Sequence, residues 1–198
     1  MLNYDVSKGR SNYFFTGAFV LSKLNYSNRL VKINSRNLSE VLLLKAEMEN
    51  RIGDFTKIKV VLNEEVSVVK SNNYNQNETR NTTSFTVSAG RSGNGRFGTS
   101  ILVREILNRN TFLIPDYSAG FQYRLFLEKE YFLKANISRN SKIPTMNDMF
   151  WLPGGNPELK NEYAFIYELN YEMKQKISSP LTISYDMSIF HNKINDMI

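Results

Sequence analysis

The 198-residue sequence predicts an all-β protein, an antiparallel meander of about ten strands that forms part of a transmembrane β-barrel wall. Three segments alternate apolar and polar residues with period two, at 131–138, 162–173 and 181–189, which is the pattern of a strand with two unlike faces. A long Pro/Gly/Asn-rich loop joins the first two segments, and the short connection 174–180 joins the others. Alternating long loops and short turns are typical of outer-membrane barrels.

The first half of the chain supplies two long strands and one ambiguous segment. Residues 12–25 predict an aromatic-rich strand, and a short strand is expected at 30–33. Residues 38–49 have a helix as the alternative, because Leu, Ala, Glu, Met and Lys are good helix formers. The strict alternation from Leu44 to Glu49 favours a strand. A turn at 50–54 then leads into a strand over 55–70, which completes a hairpin.

The middle of the chain alternates polar connections with shorter strands. Residues 71–81 read SNNYNQNETRN and predict a polar loop. The expected strands that follow lie at 83–89, 99–108 and 118–128, with a glycine-rich connection at 90–98 and a tight turn at 128–130. The absence of a convincing helix between the strands disfavours βαβ architectures.

The composition restricts the classes of function. Hydrophobic residues make up 41% of the chain, with 11 Tyr and 13 Phe, which suits a wall with one apolar face and wet rims. The net charge of +6 is spread along the chain without a Lys/Arg block, so nucleic acid is not indicated as a partner. The lack of cysteine excludes disulfides, and the single His191 argues against a histidine metal site.

Two apparent catalytic motifs do not support an enzyme. Residues 93–98 match GxGxxG, but a strand follows them where a dinucleotide site needs a helix. Asp148, Glu158 and Glu162 lie near Trp151 and could be read as a glycosidase pair beside a sugar platform. Nothing in the sequence sets the separation of these carboxylates, so we predict no catalytic residue and no cofactor.

A motif late in the chain resembles a signature of TonB-dependent outer-membrane receptors. It begins with Arg139, Pro144, Asn147 and Trp151 and ends with the run GNPELKNE at 155–162. Asn161 stands where the family usually has Pro. The loop-motif residues taken from this resemblance are Arg139, Pro144, Gly155, Asn156, Pro157, Leu159, Lys160 and Glu162. The resemblance covers 131–198 well and extends over 120–130, and upstream of residue 120 only the strand pattern agrees.

The resemblance implies a receptor in the outer membrane of a Gram-negative bacterium. Such receptors bind a scarce solute, a siderophore, haem, cobalamin or a glycan, and import it with energy passed on by TonB. The implied partners are outer-membrane lipid, the solute, and the TonB complex through an N-terminal part, with a surface lipoprotein as a further candidate. The outer loops at 71–81 and 138–161 are expected to contribute to capture.

The ligand-binding candidates lie in the second of these loops: Asn147, Asp148, Trp151 and Asn156. For Trp151 three roles remain open, because a lone Trp on a long loop can stack on a ligand, anchor at the membrane rim or pack within the loop.

The resemblance also sets an expectation for domain organisation. Receptors of this family have a plug domain and a barrel of roughly 22 strands. We expect residues 1–198 to be one partial barrel domain, since no plug is visible and the strand number is about half. Two alternatives remain, a small structural outer-membrane barrel and a soluble β-sandwich binding module.

Overall fold

The computed structural model describes residues 1–28, 33–91 and 95–197. Eleven strands form a single antiparallel sheet, in which ten strands lie in the order of the chain and the short seventh strand pairs with the sixth alone. The elements are β1 (Leu2–Lys8), β2 (Ser11–Asn28), β3 (Ile33–Ile52), β4 (Thr56–Ser71), β5 (Glu78–Arg91), β6 (Phe97–Asn108), β7 (Thr111–Phe112), β8 (Asp116–Arg124), β9 (Glu130–Lys142), α1 (Met146–Phe150), β10 (Glu162–Lys176) and β11 (Thr182–Asn195). Within the described ranges β1 and β11 each pair on one side only, so the sheet is not closed.

The predicted all-β meander is confirmed, including the segment for which a helix was the alternative. Residues 38–49 lie inside β3, which pairs with β2 and β4 along most of its length. The three alternating segments of the late chain become β9, β10 and β11. Cross-strand hydrogen bonds on both sides thus override the helix propensity of the individual residues.

Several boundaries differ from the prediction. β1 and the two-residue β7 were not expected, and β5 begins at Glu78, inside the predicted polar loop. The polar side chains of residues 78–82 do not prevent strand formation, because the backbone of this segment pairs with β4 as far as Val69. β8 ends at Arg124 rather than at 128, since the N–H of Leu125 turns back to the carbonyl of Tyr131 at 2.9 Å.

One short helix corrects the expectation of no helix. α1 lies within the loop between β9 and β10 and is only five residues long. A capping box of Thr145 and Asp148 starts it, and such a local signal acts without the apolar periodicity that marks longer helices. The predicted strand at 30–33 falls largely on residues 29–32, outside the described residues; Ile33 is the first residue of β3.

Successive connections alternate between two edges of the sheet. Short connections follow β1, β3, β5, β8 and β10, and together they define the turn edge. Gly9 and Gly53 lie in two of these turns with φ of 62° and 64°, a conformation that favours glycine. The connections after β2, β4, β6 and β9 define the loop edge, where the longest spans 143–161.

The strand register separates an apolar face from a polar face. One cross-strand row on the polar face joins Asn12, Glu49, Lys59, Ser88, Ser118 and Ser138, with Leu102 and Ile166 as its two apolar members. The apolar face is solvent-accessible: Leu169, Ile183 and Met187 are 46%, 46% and 48% exposed. No second sheet covers this face in the described part of the chain, so the structure does not have the layered core of a β-sandwich.

Candidate functional site

The loop between β9 and β10 folds back onto the loop between β4 and β5. Tyr74, the single aromatic residue in the segment 71–81, is buried, and its hydroxyl donates a hydrogen bond to Oδ1 of Asn147. Its ring lies 6.1 Å from the ring of Phe150. The N–H of Leu152 donates to the carbonyl of Asn73 at 2.8 Å. These contacts join two loops that are far apart in the sequence.

Burial raises the pKa of the Tyr74 phenol, and the negative charge of Glu78 raises it further. The hydroxyl therefore stays protonated at neutral pH and remains a donor to Asn147.

Asp148 holds the beginning of α1. Its Oδ2 accepts hydrogen bonds from the backbone N–H and the hydroxyl of Thr145 at 2.8 Å and 2.7 Å, and its own N–H donates to the Thr145 hydroxyl at 3.1 Å. The side-chain and backbone bonds from Thr145 lower the pKa of Asp148, since both favour the ionised carboxylate. The carboxylate of Asp148 therefore stabilises the conformation of the loop through its hydrogen bonds with Thr145.

The turn after α1 is built by backbone contacts. Trp151 is half-buried, its N–H donates to the carbonyl of Asn147 at 3.1 Å, and its carbonyl accepts from the N–H of Gly155. A Cβ at Gly155 would lie 2.6 Å from the backbone nitrogen of Trp151, so only glycine fits. Asn156 donates its N–H to the carbonyl of Asp148 at 2.9 Å and accepts from the N–H of Glu158 through Oδ1 at 3.0 Å.

The four ligand candidates therefore lie close together, on α1 and the turn that follows it. The described hydrogen bonds of Asp148 and Asn156 stay within their own loop, whereas Asn147 holds the neighbouring loop. Sequence reasoning did not single out Tyr74, although a lone aromatic residue in a polar loop is a signal that could have found it.

Two further motif residues anchor the ends of the loop. Arg139 is buried, donates to the carbonyls of Ile114 and Pro115 at 2.9 Å and 2.8 Å, and lies 4.3 Å from the ring centroid of Tyr163. The carbonyl of buried Pro144 accepts from Nη1 of Arg80 at 2.8 Å. The remaining motif residues lie along 155–162, where Lys160 is exposed and Glu162 approaches Lys142 at 3.9 Å.

The two loops enclose a cleft of about 480 Å³ at the loop edge. It is lined by Asn75, Gln76, Glu78, Met149, Phe150, Leu152, Gly155 and Pro157. Carboxamides, one carboxylate and apolar surface meet there, which is the mixture found in sites for small molecules.

Comparisons with known proteins agree with this architecture. The family model described as TonB dependent receptor-like, beta-barrel matches residues 2–198. The chain belongs to this family. It is a family of transport receptors of the Gram-negative outer membrane, and the resemblance read from the late-chain motif is confirmed.

Among solved structures, this chain is similar to the siderophore receptor PirA from Pseudomonas aeruginosa, with a TM-score of 0.82 and 16% sequence identity. The match covers 97% of this chain and 37% of that chain, so the sequence spans 37% of the length of PirA. No curated protein sequence matches the chain. Among the described residues, no helix is long and apolar enough to cross a membrane.

Proposed function

We propose that this chain is a partial barrel domain, over residues 1–198, of an outer-membrane receptor that imports a scarce solute with energy from TonB. The observation that supports capture at the loop edge is the contact between the loops after β4 and β9, which encloses the cleft of about 480 Å³. The family membership supports the transport step.

The two faces of the sheet support its placement in the outer membrane. We propose that the apolar face contacts lipid, because its apolar side chains are exposed and the strand register aligns them on one side of the sheet. Tyr123, Tyr171 and Tyr185 lie on this face near the turn edge, as expected for the aromatic girdle of an outer-membrane barrel. The polar face then lines the lumen, and the loop edge faces outward.

The proposed partners are the solute, the TonB complex and a surface lipoprotein. A siderophore is the first solute to examine, since PirA is a siderophore receptor; haem, cobalamin and a glycan are the others. Asn147 and Trp151 are the ligand contacts proposed from the family motif; neither lines the cleft itself, and the Oδ1 atom of Asn147 is bonded to Tyr74. Asp148 and Asn156 would act in capture through the shape of the loop, because their hydrogen bonds build it.

Growth of a receptor-deletion strain tests this function. The strain is supplied in turn with a ferric siderophore, haem, cobalamin or a glycan as the sole source of the limiting nutrient. We expect growth on one of these solutes to be lost and to return with the full receptor gene. The same growth should fail in a strain without TonB.

A matched pair of variants connects uptake to the loop. A receptor gene lacking residues 146–157 should not restore growth, whereas a gene with Arg10→Gln at the turn edge should. Unchanged growth of the deletion strain on all four solutes would refute the proposal, as would uptake that continues without TonB.

A further inference from the structure

The loop edge has a notch above β8. β8 begins at Asp116, which pairs with Arg104 of β6, and its last pairing with β9 joins Tyr117 to Arg139. Both neighbouring strands continue past these positions, β6 to Asn108 and β9 to Lys142. The two-residue β7 pairs with the end of β6, and the N–H of Leu113 donates to the carbonyl of Ile106 at 2.9 Å. Among the described residues no strand pairs with β9 beyond Arg139 on this side, so the gap lies between β7 and the end of β9.

A cavity of about 350 Å³ occupies this notch. The hairpin of β6 and β7 forms one side, with Asn108, Arg109, Thr111 and Phe112. The loop between β9 and β10 and the first residues of β10 form the other side, with Pro144, Met149, Leu159, Asn161 and Tyr163. The volume lies within the ~300–1,000 Å³ range of small-molecule sites.

Two arginine side chains line the cavity, and no Asp or Glu does. Arg80 donates one N–H, from Nη1, to the carbonyl of Pro144, while its Nε is buried and finds no hydrogen-bond partner among the described residues. The guanidinium of Arg109 lies over the ring of Phe150, 5.1 Å from its centroid. Its closest carboxylate is Glu78, at 3.8 Å from Nη2, which is too long for a hydrogen bond.

Such a cavity favours an anion for two physical reasons. Two guanidinium groups line it and no carboxylate does, and the ion pair of Arg109 with Glu78 at 3.8 Å offsets only part of their charge, so the cavity has a positive potential. The stacking of Arg109 on Phe150 restrains one guanidinium before a ligand arrives, which reduces the entropy lost on binding.

We propose that the notch is a binding site for a carboxylate group of the imported solute. The proposal rests on the proposed function and specifies the solute as an anion. A carboxylate presents two oxygens, which match the paired N–H groups of a guanidinium. Asn108 and Asn161 supply further carboxamide donors, and Leu113 and Met149 supply apolar surface for the rest of the molecule.

Calorimetric titration of citrate into the full-length receptor in detergent at low ionic strength tests the site. The variants are Arg80→Gln and Arg109→Gln, and the control is Arg10→Gln in the exposed turn between β1 and β2. We expect each of the first two changes to weaken citrate binding at least about tenfold, because each removes a charge-assisted hydrogen bond. The control should bind citrate as the unmodified receptor does.

Arg80→Lys separates charge from shape, since lysine keeps the charge but lacks the planar fork. We expect an affinity between those of the unmodified receptor and Arg80→Gln. The proposal is overturned by a lack of citrate binding to the unmodified receptor, or by equal binding to Arg80→Gln, Arg109→Gln and Arg10→Gln.

Either outcome leaves the growth experiment unaffected. TonB-dependent growth without citrate binding would overturn only the assignment of the notch to a carboxylate. Loss of TonB dependence would refute the proposed function itself.

Discussion

The hydroxyl of Tyr74 donates a hydrogen bond to Oδ1 of Asn147, which lies 73 residues further along the chain. This bond connects the loop after β4 to the loop after β9, and the cleft between these loops is lined by their neighbouring residues, Asn75 and Phe150 among them. The positions of the predicted ligand contacts therefore depend on a residue in a different loop.

Tyr74→Phe should loosen this connection while keeping the ring that packs on Phe150. We expect a cost of about 1 kcal/mol, the usual contribution of one hydrogen bond. Hydrogen exchange of the backbone amides at 146–150 should become about fivefold faster. Tyr4→Phe is the control, because Tyr4 is an exposed residue of β1. Equal exchange in the two variants would show that the bond does not hold the loop.

Gly155→Ala should open the turn after α1. The added Cβ would meet backbone atoms of Trp151 and Phe150 at 2.6–2.8 Å, and backbone cannot move aside as a side-chain end can. A cost of about 1.5 kcal/mol corresponds to roughly tenfold faster proteolysis within 143–161, where cleavage follows the open population. Gly154→Ala is the matched control, because no atom lies within 4 Å of its added Cβ. Equal cleavage of the two variants would contradict the close approach.

The capping box should respond to acid. Because its pKa is lowered from the ordinary value of 3.8, ionised Asp148 stabilises α1 above that value and loses the effect as the pH falls through the lowered pKa. Hydrogen-exchange protection at 146–150, corrected for the intrinsic rate, should therefore decrease below about pH 3.8. Asp148→Asn should abolish this transition, and Glu158→Gln should retain it. A transition that survives in Asp148→Asn would assign it to another group.

The apolar face should not tolerate a charge if it contacts lipid. Leu169→Arg places a guanidinium on that face, whereas Glu168→Arg places one on the polar face of the same strand. We expect Leu169→Arg to lower the free energy of unfolding in lipid vesicles by up to about 2–4 kcal/mol, the cost near the bilayer midplane. Unfolding by guanidinium chloride measures the difference. A smaller loss for Leu169→Arg than for Glu168→Arg would place lipid on the other face.

The strands were largely predictable because their signal is local. The alternation at 162–173 is visible within a few residues, and in β10 it becomes a strand paired on both sides. The same reasoning put the start of β5 too late, since the pairing of Glu78 with Val69 comes from the neighbouring strand and not from the composition of 78–82. The family motif located the loop that forms one side of the cleft, but not the residues of other loops that meet it.

The amino-acid pattern alone specifies the all-β class, the apolar and polar faces and the family, because each follows from spacing along a short stretch of chain. The meeting of Tyr74 with Asn147, the burial of Arg139 beneath Ile114 and Pro115, and the notch lined by Arg80 and Arg109 are decided by tertiary contacts. Those contacts join residues that are dozens of positions apart, so they arise only when the sheet brings its loops to one edge.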